Sequence, residues 1–253
     1  REISYQRKSE FKRHRIPTEE RADHEPTFTP LFRETVVENI GAAEDYVESL
    51  TSTDTTADIR LSDCRDTSLI APNSQDAVVC SPPYGDHSTT VAYGQFSRAP
   101  AAAATPVCAD DLQSVDPSGL GGTDSTASVS FEQVVAWSDA LSGTLEVLKD
   151  ADGRDEDVLN FFADYAETII AMERAIKPDQ PVAIVIGNRT VSRTPIPSHL
   201  ITTEIAEAVG LSHSQTLPRS IPSKTLPLEN APENIPGATG ETIADEYVLI
   251  FEG

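Results

Sequence analysis

The spacing of apolar residues along the chain predicts helices and strands that largely alternate. Four segments repeat apolar residues every third or fourth position and are expected to be helices: Thr35–Leu50, Phe131–Leu148, Leu159–Ala175 and Thr202–Val209. Short apolar runs predict five strands: Asp58–Leu61, Asp76–Cys80, Pro181–Gly187, Ser214–Leu217 and Glu246–Glu252. Two of these, Asp76–Cys80 and Pro181–Gly187, lack alternation, which is typical of strands buried on both faces of a parallel sheet.

This order of elements predicts an α/β fold. Strands that alternate with helices favour a parallel sheet, and the last two strands are expected to form a β-hairpin at its end. Polar or proline-rich stretches predict the loops: Ser52–Ala57, Ala99–Ser130 and Pro218–Thr239.

The composition adds an unusual charge balance. The 253 residues include 41 Asp and Glu against 19 Lys and Arg, a net charge of −22, and 14 of the basic residues are Arg. A highly acidic, lysine-poor surface keeps a protein hydrated in high salt, so we expect a halophile's cytoplasmic protein rather than an ordinary acidic one. The apolar runs are far shorter than the about 20 residues that span a membrane, and the first residues of the chain are charged and polar. Both features also predict a soluble intracellular protein. Three cysteines without C-x-x-C spacing predict neither a disulfide framework nor a zinc site.

The tetrapeptide Ser81-Pro82-Pro83-Tyr84 follows the predicted strand Asp76–Cys80 directly. Two prolines cannot continue a central strand, so the chain turns out of the sheet here, at the carboxyl edge where α/β sheets bind ligands. The Ser81 hydroxyl and a main-chain carbonyl, expected to be that of Pro82, can accept hydrogen bonds from a planar amino group. The Tyr84 ring can stack on the base that carries this group. The set suits methyl transfer from S-adenosylmethionine to a base flipped out of a duplex.

The same residues resemble a known family. Ser-Pro-Pro-Tyr at the end of a strand resembles motif IV of the amino-methyltransferases, and its Ser form is similar to that of the cytosine-N4-specific DNA methyltransferases. The strings SPPYGDHSTTVAYGQFSR, GNRTV at Gly187–Val191 and RSIPSK at Arg219–Lys224 resemble a branch of site-specific DNA methyltransferases from archaea and bacteria. The resemblance runs through most of the chain. It implies a Rossmann-like sheet, S-adenosylmethionine as methyl donor without a metal, and catalytic roles for the motif residues: Ser81, Pro82, Pro83 and Tyr84.

The resemblance also implies roles for residues on other segments. Asp63 occupies the position of an acidic residue that accepts a hydrogen bond from the adenine amino group of S-adenosylmethionine. Ser81 is also expected to border this cofactor. Asn188 and Arg189, after the strand Pro181–Gly187, are expected to shape the base pocket or clamp phosphate. The alternatives are a helix N-cap or loop carboxylate for Asp63, and a capped loop for the other two.

Contacts to DNA are expected from a basic cluster near the start of the chain, in which seven of the 19 basic residues fall within Arg1–Arg21. The candidates for phosphate contacts are Arg7, Lys8, Lys12 and Arg13. A solvated tail is the alternative. The net charge of −22 does not exclude DNA, because molar salt screens charges. Tyr93 and Phe96 are expected to flank the flipped base or, alternatively, to pack in the core, and Ala99–Ser130 is a candidate recognition region.

The family's glycine-rich Phe-x-Gly-x-Gly motif and the acidic residue after it are missing, since Gly119–Gly122 follows no predicted strand. The chain also begins at Arg1, and its only methionine is Met172. We therefore expect the catalytic, C-terminal part of a methyltransferase whose cofactor-binding part lies on a missing upstream segment or a separate subunit. Alone, it should bind S-adenosylmethionine weakly or not at all. Residues 1–56 are predicted to be a basic segment and helix leading to that part, and 57–253 the catalytic domain with a loop insertion at 99–157.

Two other interpretations stay open. The first is an amino-methyltransferase that acts on adenine N6 or on guanine in RNA, although such enzymes usually carry Asp or Asn in place of Ser81. The second is a truncated, non-catalytic remnant or a DNA-binding partner. Cys80 is predicted to be a buried core residue rather than the nucleophile of a cytosine-C5 methyltransferase.

Overall fold

The computed structural model of the chain describes residues 16–25, 27–50, 54–60, 62–84, 115–122, 127–149, 154–192, 194–220, 229–230, 240–241 and 245–253. Its helices are α1 (Thr18–Arg21), α2 (Thr29–Ser49), α3 (Val115–Ser118), α4 (Phe131–Trp137), α5 (Asp139–Lys149), α6 (Asp155–Ala175) and α7 (Ser198–Val209). Its strands are β1 (Val78–Cys80), β2 (Pro181–Gly187), β3 (Arg189–Val191), β4 (Thr194–Ile196), β5 (Ser212–Ser220), β6 (Glu229–Asn230), β7 (Gly240–Glu241) and β8 (Asp245–Glu252). No helix within these ranges is long and apolar enough to cross a membrane.

The main sheet has four strands in the order β1-β2-β8-β5. β1 runs parallel to β2, with Cys80 opposite Ile184, whereas β8 is antiparallel to both β2 and β5. The prediction of a parallel sheet is therefore wrong for β8, although β1, β2 and β5 do run in one direction. No helix lies between β5 and β8 in the described chain, and strands joined without a crossover helix pair antiparallel. β5 and β8 pair antiparallel at one end of the sheet, although β6 and β7 lie between them in the chain.

The core lies between this sheet and α6 and α7. On the sheet side it contains Val182, Ile184 and Ile186 of β2 and Leu249 and Phe251 of β8, all fully buried. On the helix side, α6 contributes Phe161, Phe162 and Tyr165, whose rings pack against one another. The apolar periodicity of α6 and the apolar run of β2 predict these two elements well, because burial of these side chains stabilises both of them.

Ser138 divides the helix predicted over Phe131–Leu148 into α4 and α5. Its backbone is extended, at φ −140° and ψ 111°, and its hydroxyl accepts a hydrogen bond from the Leu141 N–H at 3.0 Å. The same hydroxyl donates to Glu204 of α7. A serine that caps the next helix competes with helix continuation, which the apolar pattern alone did not show.

Three further predictions need correction. Residues 58–60 form no strand, since Arg60 bonds back to Asp58 (Nε–Oδ2 2.9 Å) and Ile59 is 93% exposed; Leu61 lies outside the described residues. β1 is shorter than Asp76–Cys80 and is not uniformly buried, because Val79 at this edge of the described sheet is 78% exposed. The loop predicted from Pro218 begins later, since β5 continues to Ser220.

The helix α2 confirms and extends the prediction over Thr35–Leu50. It has no buried residue along its 21 residues. Several of its apolar side chains, among them Val37, Ile40 and Val47, are more than half exposed. The closing of α7 is also as predicted, because Gly210 adopts φ +120° and ends the helix.

Candidate active site

The motif Ser81–Tyr84, called the SPPY motif below, leaves β1 at its carboxyl end. β2 ends beside it, since the two strands are parallel and Cys80 lies opposite Ile184. Ser81 to Tyr84 form no helix or strand, which agrees with the predicted turn out of the sheet. The motif and the residues after β2 therefore meet at one edge of the sheet, as expected from the sequence.

Helix α6 places Asp63 close to this edge. Three residues on one face of α6, spaced about one turn apart, contact the Asp63 loop or the end of β1: Asp164, Thr168 and Met172. Cys64 Sγ lies 3.5 Å from Thr168 Oγ1, and Cys80 Sγ lies 4.0 Å from Met172 Sδ. Four residues of an α-helix rise about 6 Å. The loop of Asp63 and the end of β1 therefore contact neighbouring turns of α6.

A polar cluster that we call the Arg65 node fixes this loop. It consists of Asp63, Arg65, Ser118, Gly121 and Asp164. The guanidinium binds Asp63 (Nη2–Oδ2 2.6 Å), Asp164 (Nη1–Oδ1 2.8 Å) and the Ser118 carbonyl (Nη2–O 3.0 Å). Asp164 is fully buried and also accepts from the Gly121 N–H at 2.7 Å. The node thus joins the Asp63 loop and the glycine segment to α6.

Gly121 has to be glycine at this junction. Its φ is +69°, and a Cβ there would come within 3.0 Å of the Phe161 backbone. Gly119–Gly122 follows the short helix α3 rather than a strand. Gly121 thus permits the close approach of this segment to α6.

Asp63 does not follow a strand, contrary to the expectation, because residues 58–60 are irregular. Both of its carboxylate oxygens accept from Arg65, and the side chain is 49% exposed. The hydrogen bond from Arg65 lowers the pKa of Asp63 against the opposing effect of burial. The group therefore stays ionised and, because each carboxylate oxygen has two lone pairs, can accept further hydrogen bonds.

Tyr84 is held at the edge by a second set of contacts, the Tyr84 cluster of Tyr84, Glu246 and Arg219. The Tyr84 hydroxyl donates to Glu246 Oε1 at 2.8 Å, and Arg219 Nε donates to Glu246 Oε2 at 3.1 Å. Glu246 lies in β8 opposite Gly187 of β2 and opposite Arg219 of β5. The last residue of the SPPY motif is thereby tied to the end of β2.

Asn188 lies beside this cluster and contacts the start of α7. Its Oδ1 accepts from the His199 N–H at 3.2 Å and lies 2.7 Å from His199 Nδ1. The His199 ring stacks on Tyr247, with centroids 4.0 Å apart and planes at 8°, and burial lowers the pKa of His199. The Asn188 oxygen thus accepts a hydrogen bond from the first turn of α7. Arg189 begins β3 and is half-buried.

The remaining predicted site residues lie outside the described ranges. They are Tyr93, Phe96, Arg7, Lys8, Lys12 and Arg13. The structure in turn adds residues that the sequence analysis did not single out: Glu246, Arg219, His199 and Tyr247. Nothing local marks them, because Glu246 is separated from Tyr84 by 162 positions in the chain.

Cys80, at the end of β1, is half-buried and packs against the core. Burial raises the pKa of its thiol to about 11, with a smaller contribution from Cys64. A thiol that keeps its proton is a poor nucleophile, as predicted for this residue.

We expect iodoacetamide at pH 8 to alkylate exposed Cys64 at least tenfold faster than Cys80, because the reactive form is the thiolate. Peptide mass spectrometry over a time course measures both rates in one sample, and a urea-unfolded sample controls for intrinsic reactivity. Equal rates in the folded protein would contradict the assignment of Cys80 to the core.

A curated methyltransferase is similar to the chain along its whole length, although no protein family model matches it. The chain is 30% identical over 260 residues to Type II methyltransferase M.MvaI of Kocuria varians, an alignment that covers 100% of the chain and 57% of that protein. The chain thus spans somewhat more than half the length of this curated relative.

Two solved structures are also similar, both of the proposed DNA modification methylase TTHA0409 of Thermus thermophilus. The first has a TM-score of 0.37 at 16% identity and covers 76% of this chain and 52% of that one. The second, a complex with S-adenosyl-L-methionine, has a TM-score of 0.35 at 16% identity and covers 75% and 52%. TM-scores this low do not establish a common fold.

Proposed function

We propose that the protein is part of a site-specific DNA methyltransferase that transfers a methyl group from S-adenosylmethionine to the N4 amino group of cytosine. The observation that carries the proposal is the place of the SPPY motif, at the carboxyl end of β1 and directly beside the end of β2. Similarity to a Type II methyltransferase over the whole chain supports it. The serine at position 81 favours cytosine over adenine, since enzymes for adenine usually carry Asp or Asn there.

In this reaction the motif grips the amino group of a flipped cytosine. The Ser81 hydroxyl and the Pro82 carbonyl accept its two hydrogens, which draws the nitrogen lone pair out of conjugation with the ring. Pro83 stiffens the turn, and the ring of Tyr84 stacks on the base. The nitrogen then forms a bond to the methyl carbon as the sulfur–carbon bond breaks, S-adenosylhomocysteine leaves, and the nitrogen loses a proton to solvent.

Asp63 is the proposed acceptor for the adenine amino group of S-adenosylmethionine. Its loop contacts the turn of α6 next to the one that contacts the end of β1, and its ionised carboxylate is half exposed. Arg65 holds this carboxylate from one side. Ser81 would border the same cofactor from the motif.

DNA is the proposed substrate and partner. Asn188 and Arg189 stand at the edge where the flipped base would enter. The remaining proposed contacts are those to phosphate from Arg7, Lys8, Lys12 and Arg13 and those beside the base from Tyr93 and Phe96. The acidity of the chain, at −22, is proposed to reflect adaptation to high salt. We also propose that the glycine-rich cofactor segment is supplied by polypeptide outside these 253 residues.

The test is methyl transfer from labelled S-adenosylmethionine to unmethylated genomic DNA, in low and in molar salt, followed by mass analysis of the nucleosides. The chain is assayed alone and translated together with the coding sequence upstream of it. Type II methyltransferase M.MvaI serves as the positive control. N4-methylcytosine supports the proposal, and N6-methyladenine would move the substrate to adenine. A folded protein that methylates no base in either form contradicts the proposal.

A further inference from the structure

The side chain of Tyr84 has an anchor of its own. Its hydroxyl donates to Glu246 Oε1 at 2.8 Å, and the Glu246 side chain is only 13% exposed. Arg219 occupies the other oxygen of this carboxylate through Nε at 3.1 Å and through Nη2. The Arg219 side chain is 64% exposed, so it lies on the solvent side of this carboxylate.

The anchor stands on paired strands of the sheet. Glu246 is paired with Gly187 on one side and with Arg219 on the other, and the register shift between β5 and β8 lies at His213/Gln215, toward the other end of β5. The two prolines before Tyr84 fix the backbone of the motif, but they leave the two side-chain torsions of the tyrosine free. A hydrogen bond at the far end of the ring removes that freedom.

We propose that Glu246, held by Arg219, is a positioning residue that fixes the ring of Tyr84 for stacking on the target base. This inference rests on the proposed function of the SPPY motif. The role of Glu246 is indirect, since it contacts the tyrosine hydroxyl and not the base. Tyr84 acts through its ring face.

The ionisation of the two groups agrees with this arrangement. Burial raises the pKa of Tyr84, the hydrogen bond to Glu246 raises it further, and Ser81 opposes the shift. Burial of Glu246 disfavours its charge, but the hydrogen bonds from Arg219 and Tyr84 outweigh burial and lower the pKa of Glu246. At neutral pH the phenol therefore keeps its proton and donates a hydrogen bond to an ionised carboxylate. Hydrogen bonds to a charged acceptor are stronger than those between neutral groups.

A double-mutant cycle tests the proposal in the form of the protein that transfers methyl groups. We expect Glu246→Gln and Tyr84→Phe each to lower kcat about 10- to 100-fold, which corresponds to about 1.4–2.7 kcal/mol. KM for S-adenosylmethionine should stay within about twofold, since the cofactor is not touched. The double variant should lose no more than Tyr84→Phe alone, because Tyr84→Phe already removes the contact that Glu246→Gln weakens. Additive losses would overturn the proposal.

Two further variants separate positioning from general damage. Tyr84→Ala removes the ring itself and should lose more activity than Tyr84→Phe. Asp157→Asn is the matched control, since it removes a carboxylate paired with Arg154 at 2.9 Å at the start of α6, outside the Tyr84 cluster. It should leave kcat unchanged. If Asp157→Asn lowered kcat as much as Glu246→Gln, the effect would not be specific to the Tyr84 cluster.

Ultraviolet titration of the phenol tests the contact without any assay of activity. The difference between the wild type and Tyr84→Phe isolates Tyr84, and circular dichroism confirms that each sample is folded. Glu246→Gln should lower the pKa of Tyr84. An unchanged titration overturns the positioning role whether or not the protein methylates DNA. A shifted titration in a protein without methyl transfer would keep the contact and reject the proposed function.

Discussion

Replacement of Asp164 by alanine is expected to lower the free energy of unfolding by about 3–5 kcal/mol, the cost of breaking a buried ion pair by removal of one partner. Asp164 is fully buried in α6 and satisfies both the Arg65 guanidinium and the Gly121 N–H. Its loss leaves a largely buried guanidinium with one fewer counter-charge and a backbone donor without this acceptor. The Asp63 loop and the glycine segment lose their common link to α6.

Urea or guanidinium unfolding monitored by circular dichroism measures this effect at constant salt. Asp164→Asn keeps the shape and one acceptor oxygen, so it should cost less than alanine. Asp157→Asn breaks the exposed pair with Arg154 and should change stability by about 0–1 kcal/mol. If Asp164→Ala were as stable as Asp157→Asn, the Arg65 node would not hold the fold together.

Replacement of Ser81 by alanine is expected to lower kcat about 100- to 1,000-fold, the range found when one hydrogen-bonding group that stabilises a transition state is removed. Ser81 is the first residue after β1, and its hydroxyl is one of the two acceptors proposed for the amino group. Without it, the amino nitrogen keeps more of its conjugation with the base, and the lone pair is less available.

Single-turnover methyl transfer with saturating cofactor measures the chemical step and separates it from product release. The control is Ser212→Ala, at an exposed serine in β5, which should retain full activity. Circular dichroism and unfolding curves check that Ser81→Ala is folded. A Ser81→Ala enzyme within a few-fold of the wild type would reject Ser81 as an acceptor in catalysis.

The elements that the sequence predicted well are those in which burial dominates. The helix α6 carries a long apolar periodicity that is typical of a helix, and the strand β2 carries an unbroken apolar run rich in Val and Ile, which favours a strand. The four residues of the expected strand at 58–61 are too few for such a pattern, and a local bond between Arg60 and Asp58 took its place. The break at Ser138 came from a hydroxyl that caps a helix, which an apolar periodicity does not register.

The candidate site divides in the same way. The position of the SPPY motif could be predicted because prolines end a strand by local sterics. The Tyr84 cluster could not be predicted, because Glu246 and Arg219 reach Tyr84 only after β8 pairs with both β2 and β5. The Arg65 node was likewise missed, since Asp164 is remote in sequence and reaches Arg65 only through tertiary packing.

The place of β8 has a consequence for the order in which the protein assembles. β8 follows every other described strand in the chain, yet it lies between β2 and β5 and pairs with both along nearly its whole length. During synthesis, β2 and β5 therefore cannot complete their pairing with β8 until Glu252 has left the ribosome. Pairings this far apart in sequence slow folding, and the apolar side chains of β2 stay exposed to aggregation until the last strand arrives. We expect a refolding rate set by the docking of β8.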